Sequence, residues 1–176
     1  MPIFPYKEIY PKIDPSCFIA PTAAIVGDVT IEEMASVWFN TVIRGDINFI
    51  RIGSHTNIQD SCVLHITEEY PVEISHHVTL GHKVLCHGAK IGSNTLIGMG
   101  SVLLDGVVIG ENCFIAANSL LTPRTNVPSN SFVLGSPAKV VRPIKDIELE
   151  HIKENVASYV LYGQEYLSEY RKNIKK

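Results

Sequence analysis

A chain of 176 residues with a formal net charge of −3 is long enough to form one domain with its own core. This charge gives no reason to expect nucleic acid or an anionic membrane as a partner. The first residues hold no basic cluster followed by an apolar run, and no later stretch approaches the about 20 apolar residues of a spanning helix. We therefore expect a soluble, cytoplasmic protein that binds neither nucleic acid nor membrane.

The cysteine pattern argues against a disulfide framework. Cys17, Cys62, Cys86 and Cys113 are scattered along the chain without a CxxC pair. This spacing predicts neither paired thiols nor a thiolate zinc site. We expect four buried structural thiols instead.

The strongest signal is an aliphatic residue at every sixth position. A helix needs apolar spacing near 3.6 residues and a half-buried strand needs spacing near 2, so a period of six fits neither. Glycine often follows the aliphatic residue, as at Gly53, Gly81, Gly92, Gly98 and Gly110. The period runs in three stretches, through Ile13, Ile19, Ile25, Ile31, Val37 and Ile43, then Ile52, Ile58 and Leu64, then Ile91, Ile97, Leu103, Ile109, Ile115, Leu121, Val127 and Val133.

This period resembles the hexapeptide repeat of left-handed parallel β-helices, in which three hexapeptides form one triangular coil. The resemblance implies an all-β solenoid whose aliphatic side chains point into the prism. The left-handed sense of the coil is also inferred from the resemblance. Small residues two positions before the aliphatic agree with a narrow interior. They are Cys17, Ala23, Ala35, Cys62, Ser101 and Cys113.

The C-terminal segment changes to helical spacing. We predict a β-helix domain over residues 1–143 and a helix within 144–176 that packs on the β-helix. Acidic residues open this segment and lysines close it, as the helix dipole favours. The apolar positions at helical spacing are Ile152, Val156, Tyr159, Val160, Gly163, Leu167 and Tyr170.

Residues 62–90 contain five of the seven histidines. His65 and His87 each follow an inward residue, Leu64 and Cys86, when residues 67–71 are treated as an insertion. These inward residues are three repeat steps apart, which places them in adjacent coils at the strand spacing of about 4.8 Å. We therefore expect His65 and His87 to stack.

His82 lies two residues after Leu80 and one face earlier than that pair. One triangle edge of roughly 15 Å separates them, at about 3.3 Å per strand residue. Zinc–nitrogen bonds of about 2.0 to 2.1 Å cannot span this gap within one chain. Either His82 is not a ligand or a second copy of the chain completes its site, as a threefold assembly of prisms allows.

The order of these features resembles the γ class of carbonic anhydrases over most of the chain. The matching segments are Arg44-Gly45-Asp46, then Asn57-Ile58-Gln59-Asp60, then His65, His82 and His87. The family is a homotrimer that binds zinc between subunits, with two histidines from one subunit and the third from the next. The resemblance thus implies zinc held by His65, His82 and His87, with CO2 and bicarbonate as the substrate pair.

Further roles are implied by the same resemblance. Gln59 would orient the nucleophilic hydroxide, and Asn57 would belong to the pocket. Arg44 would pair across the interface with Asp46 or Asp60. Tyr159 matches the place of a tyrosine near the metal, although packing on the β-helix explains it equally well.

The chain departs from the best-characterised form of the family at the step of proton export. Ile47 follows Asp46 where that form has a glutamate, and the long acidic loop is shortened to residues 66–74. Glu68 and Glu69 in this loop are candidate proton shuttles, although two adjacent glutamates are more often a solvated surface pair. The sequence therefore leaves open whether turnover is fast or slow.

Other functions use the same fold. A hexapeptide acyltransferase needs one histidine base, a metal-dependent thioesterase uses a similar site, and some relatives are metal-binding scaffolds with weak or no turnover. An all-imidazole site also suits Fe2+ and Co2+ as well as zinc. The remaining histidines, His55, His76, His77 and His151, are interpreted as solvated or structural.

Overall fold

The computed structural model describes residues 2–174 as a left-handed parallel β-helix followed by one long helix. This confirms the predicted fold class. The helix α1 spans Asp146–Ile174, close to the predicted segment. The strands are β1 Ile3–Phe4, β2 Lys12–Ile13, β3 Phe18–Ile19, β4 Ala24–Ile31, β5 Ser36–Val37, β6 Val42–Ile52, β7 Asn57–Ile58, β8 Val63–His65, β9 Val72–Ile74, β10 Thr79–Leu80, β11 Leu85–His87, β12 Lys90–Ile91, β13 Leu96–Ile97, β14 Val102–Leu103, β15 Val108–Ile109, β16 Phe114–Ile115, β17 Leu120–Leu121, β18 Asn126–Val127, β19 Ser131–Gly135 and β20 Ala138–Pro143.

The strands form three faces of a triangular prism. The first face runs β3-β5-β7-β10-β13-β16-β19, and α1 packs against it. The second face runs β6-β8-β11-β14-β17, and the third runs β6-β9-β12-β15-β18. Strand β6 belongs to both because it continues around the corner between them, pairing with β8 at its start and with β9 at its end.

The inward residues follow the predicted six-residue period. Leu64, Leu80 and Cys86 are fully buried and Ile74 is 3% exposed, as the insertion at 67–71 requires. The repeat aliphatics stack on one another in register, for example Ile43 beside Leu64. All four cysteines are buried free thiols, and burial raises the pKa of Cys17, Cys62 and Cys86 to about 12. The thiols therefore fill the interior and are poor nucleophiles.

The end of the β-helix holds a feature that the period did not predict. Strand β20 turns back and pairs antiparallel with β19, with a register shift between Phe132 and Val133. The parallel coils thus end at β19, and β20 leads the chain to the start of α1. No helix in the described part of the chain is long and apolar enough to cross a membrane, and the cytoplasmic location stays a prediction.

The apolar stripe of α1 packs on the first face, as predicted. Ile152 and Val156 are buried, while Tyr159 and Leu167 are partly buried against the core. Gly163 is also buried, and a Cβ there would lie 3.4 Å from the Cβ of Ser36. The helix therefore closes over this face and leaves the other two uncovered in the single chain.

The start of α1 is fixed by Glu148. The Arg142 guanidinium donates hydrogen bonds of 2.8 and 2.5 Å to the two carboxylate oxygens, and the backbone N–H of Lys145 donates one of 2.9 Å. A glutamate in the first turn that reaches back to the residue before the helix satisfies a free N–H donor. These hydrogen bonds, first of all those from Arg142, lower the pKa of Glu148 from 4.5 to about 2.

We predict that Glu148→Gln destabilises the protein by about 1 kcal/mol at pH 7, the usual scale for a lost helix cap. Because the pKa of Glu148 is lower in the folded state, its contribution is complete above about pH 4.5 and disappears as the pH falls towards 2. Urea unfolding at several pH values measures this difference. Glu150→Gln, which removes an exposed pair with Lys153, is the matched control. An equal loss in both variants would contradict this role of Glu148.

Candidate metal centre

His65 and His87 lie side by side on the second face of the prism. Their strands β8 and β11 are parallel neighbours, and the two residues are in direct register. Nδ1 of His65 is 3.0 Å from Nε2 of His87, and the ring centroids are 5.0 Å apart. The predicted stacking of these two histidines is confirmed.

Each ring has a carboxylate at its other nitrogen. Asp46 Oδ1 lies 3.1 Å from Nε2 of His65, and Asp105 Oδ1 lies 2.5 Å from Nδ1 of His87. A neutral imidazole that donates its one N–H to a carboxylate has a lone pair on the opposite nitrogen. The two nitrogens that face each other at 3.0 Å would then both be lone-pair donors. Two such donors repel each other unless a cation lies between them.

The electrostatics around His65 favour a neutral ring. Burial lowers the pKa of His65, and this outweighs the opposite effect of Asp46. Burial alone would raise the pKa of Asp46, but hydrogen bonds from His65 and Arg44 lower it overall, so the carboxylate is ionised at neutral pH. A neutral imidazole beside an ionised carboxylate is the form that binds a divalent metal.

The spacing of the pair also fits a shared ion. Two zinc–nitrogen bonds of about 2.0 to 2.1 Å at a tetrahedral angle place their nitrogens about 3.4 Å apart. The observed 3.0 Å differs by a few tenths of an ångström, which a small ring rotation supplies. The residues on this edge therefore fit two positions of a zinc site.

His82 lies at a different corner of the prism. It follows the first face, directly after Gly81, where a Cβ would come within 2.8 Å of the backbone nitrogen of Met99 in the next coil. Its Nδ1 lies 2.9 Å from Oδ2 of Asp60. Within residues 2–174, no group of three histidine, cysteine or acidic side chains is arranged to hold a metal ion. The site that the sequence predicts is therefore not assembled by the described residues of one chain.

His82 borders a cavity of about 390 Å³ between α1 and the first face. Gln59 and Tyr159 also line this cavity. Gln59 is 5% exposed, and its Nε2 donates a hydrogen bond of 3.2 Å to Oδ1 of Asn57. The structure thus brings His82, Gln59, Asn57 and Tyr159 together at one corner.

The sequence left open whether Tyr159 packs on the β-helix or lies near the predicted site, and the structure shows packing together with a position beside His82. Its ring packs edge-on against Trp38 at 5.4 Å between centroids, and it also lines the cavity beside His82. Burial first, and then the charge of Asp60, raise the pKa of Tyr159. The hydroxyl therefore stays protonated at neutral pH.

The remaining predicted residues lie near His65. Arg44 forms an ion pair with Asp46 in the same chain, so its pairing across an interface stays a prediction. Glu68 and Glu69 are exposed in the loop that follows His65, where Glu69 hydrogen bonds to Tyr70. Their role as proton shuttles also stays a prediction.

Asp105 is the site residue that the sequence analysis missed. It follows His87 by 18 residues, which is one complete coil, and Asp46 and Asp60 also lie about one coil before the histidines that they contact. A search for carboxylates one coil away from each histidine would have found all three pairs. In contrast, no described carboxylate forms an ion pair with His55, His76, His77 or His151.

We predict that Asp105→Asn weakens zinc binding by about 10- to 100-fold, the usual effect of losing a carboxylate behind a histidine ligand. Competition with a chromophoric chelator measures this affinity without any catalytic assay. Glu73→Gln is the matched control, because Glu73 is a partly exposed carboxylate paired with Lys90 on the third face. Unchanged affinity in Asp105→Asn would show that Asp105 does not support the ligand.

Comparisons with known proteins extend this picture. The family model described as bacterial transferase hexapeptide (six repeats) matches residues 88–123. A protein named carbonic anhydrase from Geobacillus kaustophilus is 49% identical over 164 residues, covering 93% of this chain and 90% of the relative. A protein named probable carbonic anhydrase from Methanocaldococcus jannaschii is 56% identical over 142 residues, covering 81% of this chain and 89% of the relative.

A solved structure shows the same architecture. A Bacillus cereus protein, named as a candidate acetyltransferase, superposes with a TM-score of 0.93 at 45% identity. The match covers 94% of this chain and 96% of that protein. The structural match therefore extends well beyond the repeats that the family model recognises.

Proposed function

Since this chain belongs to the γ-class carbonic anhydrase family, we propose that it hydrates CO2 reversibly to bicarbonate at a zinc ion shared between the chains of a homotrimer. The observation that carries the proposal is the pair His65 and His87. Their facing nitrogens are 3.0 Å apart, and each ring has a carboxylate behind it. His82 of a neighbouring chain completes the ligand set.

The proposed metal fits the chemistry of these donors. When bound by three neutral imidazoles, zinc lowers the pKa of a coordinated water to about 7, as in carbonic anhydrases. His65, His82 and His87 are the three ligands, and Fe2+ or Co2+ would also suit them. Asp46, Asp60 and Asp105 hold the rings in the orientation that binding requires.

The surrounding residues act on the substrate and the proton. Gln59 accepts a hydrogen bond from the attacking oxygen and thereby directs a lone pair of that oxygen at the carbon of CO2. The new carbon–oxygen bond gives bicarbonate, and one proton leaves for solvent. Glu68 and Glu69 are exposed in the loop that follows His65 and can receive that proton.

The second face of the prism supports assembly into a trimer. Its outward residues Val42, Val63, Leu85, Val102 and Leu120 stack in register in one row. Val42, Val63 and Leu85 are each more than one third exposed in the single chain. The helix covers the first face, so this row has no cover within the described chain, and a continuous apolar surface is typical of a protein interface.

The two edges of this face carry complementary halves of the site. His65 and His87 lie towards one edge, and His82 lies at the corner that forms the other. A ring of prisms with parallel axes places the first edge of each chain against the second edge of the next. Gln59 and Tyr159 line the same cavity as His82, so they serve the site to which that histidine is contributed.

We predict that Val63→Glu dissociates the assembly, because it places a charge in the apolar row of each interface. Val108→Glu is the matched control. Val63 and Val108 are both outward valines with 42% exposure, but Val108 lies on the third face. Native mass spectrometry should show a trimer for the wild type and for Val108→Glu, and monomers for Val63→Glu. A trimer in both variants would exclude the second face as the interface.

A metal-dependent thioesterase is the second candidate, supported by one observation. The cavity of about 390 Å³ beside His82 is larger than CO2 needs and has Leu96, Met99 and Phe114 in its lining. A hexapeptide acyltransferase explains one histidine but leaves the paired His65 and His87 without a role. A metal-binding scaffold explains the ligands without turnover.

Stopped-flow CO2 hydration by zinc-loaded protein tests the proposed function directly. We expect activity that rises through about pH 7 and is lost in His65→Ala. Thioester hydrolysis is measured on the same samples. Thioesterase activity without hydration would favour the second candidate, and a zinc-loaded protein without either activity would favour the scaffold.

Mixed trimers test the sharing of ligands between chains. His65→Ala and His82→Ala trimers should each be inactive, since every site lacks one ligand. When the two are unfolded and reassembled together, each mixed trimer contains one interface with all three ligands. Random mixing makes about three quarters of the trimers mixed, so activity should recover to roughly a quarter of the wild type. No recovery despite proven mixing would place the site within one chain.

Gln59→Ala serves as an internal control in this experiment. In a repaired interface, Gln59 comes from the chain that carries His82, which is the His65→Ala chain. Adding Gln59→Ala to that chain should lower the recovered activity, and adding it to the His82→Ala chain should not. The reverse result would assign Gln59 to the other side of the interface.

A further inference from the structure

Four polar side chains form a continuous hydrogen-bonded chain from α1 to Gln59. The hydroxyl of Thr79 donates to Oδ1 of Asn155 at 2.9 Å, and it accepts from Nδ2 of Asn57 at 2.8 Å. Oδ1 of Asn57 accepts in turn from Nε2 of Gln59 at 3.2 Å. Asn57, Thr79 and Gln59 are all at most 5% exposed.

The hydrogen bonds in this series all run in one direction. A threonine hydroxyl has one proton, so it can donate to only one of its two partners. With Asn155 as the acceptor, Thr79 must accept from Asn57, and Asn57 must then present its carbonyl oxygen to Gln59. The amide nitrogen of Gln59 is thereby engaged, and its carbonyl oxygen Oε1 is left for the site.

The opposite direction would reverse the chemistry of Gln59. If Asn155 donated to Thr79, each amide along the chain would turn over, and Gln59 would present its N–H group to the site. A donor at this position cannot accept a hydrogen bond from a protonated attacking oxygen. The direction of these hydrogen bonds therefore decides whether Gln59 can carry out its proposed role.

We propose that Thr79 and Asn155 are positioning residues that fix the amide of Gln59 with its carbonyl oxygen towards the reacting oxygen. The inference rests on the proposed function for its catalytic consequence. Two observations support it. Thr79 and Asn155 line the same cavity as Gln59 and His82, and the described residues give Oε1 of Gln59 no hydrogen-bond partner of its own.

Backbone hydrogen bonds hold the main chain of Gln59, so only its side chain is free to change orientation. Its N–H donates to the carbonyl of Leu80 at 2.9 Å, and its carbonyl accepts from the hydroxyl of Thr41 at 2.7 Å. Main-chain position is thus fixed independently of Thr79. Removing the Thr79 hydroxyl should therefore free the amide without moving the residue.

The test compares Thr79→Val with Thr79→Ser, and Asn155→Leu with Asn155→Asp. Valine matches threonine in shape but has no hydroxyl, whereas serine keeps it. Leucine removes the acceptor at position 155, whereas aspartate keeps an acceptor. We expect kcat for CO2 hydration to fall about tenfold in Thr79→Val and Asn155→Leu, as for one hydrogen bond lost from a transition state. The serine and aspartate variants should retain most of the activity, and zinc content should be equal in all.

A double-mutant cycle separates positioning from a general structural effect. If Thr79 acts through Gln59, Thr79→Val should cost little further activity in a Gln59→Ala background. Full additivity of the two losses would overturn the proposal. Equal losses in Thr79→Val and Thr79→Ser would also overturn it.

A spectroscopic readout needs no catalytic activity. In 15N-labelled, metal-free protein, the side-chain amide signals of Gln59 are identified by their loss in Gln59→Ala. Hydrogen exchange of this amide should be slow in the wild type and in Thr79→Ser, and faster in Thr79→Val. Unchanged exchange in Thr79→Val would refute the positioning role. If the wild type instead shows no CO2 hydration but the expected exchange, the proposed function fails and the positioning inference stands.

Discussion

The stacking of successive coils at one strand spacing is the constraint on which the rest of this structure depends. Each inward aliphatic must lie on the one a coil before it, so an outward residue is equally fixed relative to its neighbours. Leu64 beside Cys86 in the interior therefore places His65 beside His87 outside. The pairing of these two histidines is a direct product of core packing, and it needs no flexible loop to assemble it.

This constraint explains which parts of the site the sequence could predict. The six-residue period contains the register, so the stacking of His65 and His87 and the separation of His82 followed from counting residues. The contact of Asp105 with His87 obeys the same register, at a distance of one coil, and could have been found in the same way. Strand β20 could not, because its antiparallel pairing with β19 breaks the repeat.

Contacts made by α1 follow a different rule. Helical spacing predicted the stripe that packs on the first face, but it contains no information on how far the helix slides along the prism. That position depends on the fit of Gly163 over Ser36 and on the anchor at Glu148. The hydrogen bond from Thr79 to Asn155, which joins residues 76 positions apart, is set by this fit and is visible in the structure alone.

Each of the three faces of the prism would contribute differently to such a site. Covering the first face with α1 creates a cavity in which the amide of Gln59 can be held by buried neighbours. The second face has an exposed apolar row, and burial of this row in an assembly would place one edge of the face against the opposite edge in the next chain. The third face carries Glu73 and Lys90, which suit contact with water. A shared metal at the meeting of two edges would make assembly a condition of activity, because neither edge alone holds three ligands. Evolution of the helix contact could then tune Gln59 without disturbing the core that positions His65 and His87.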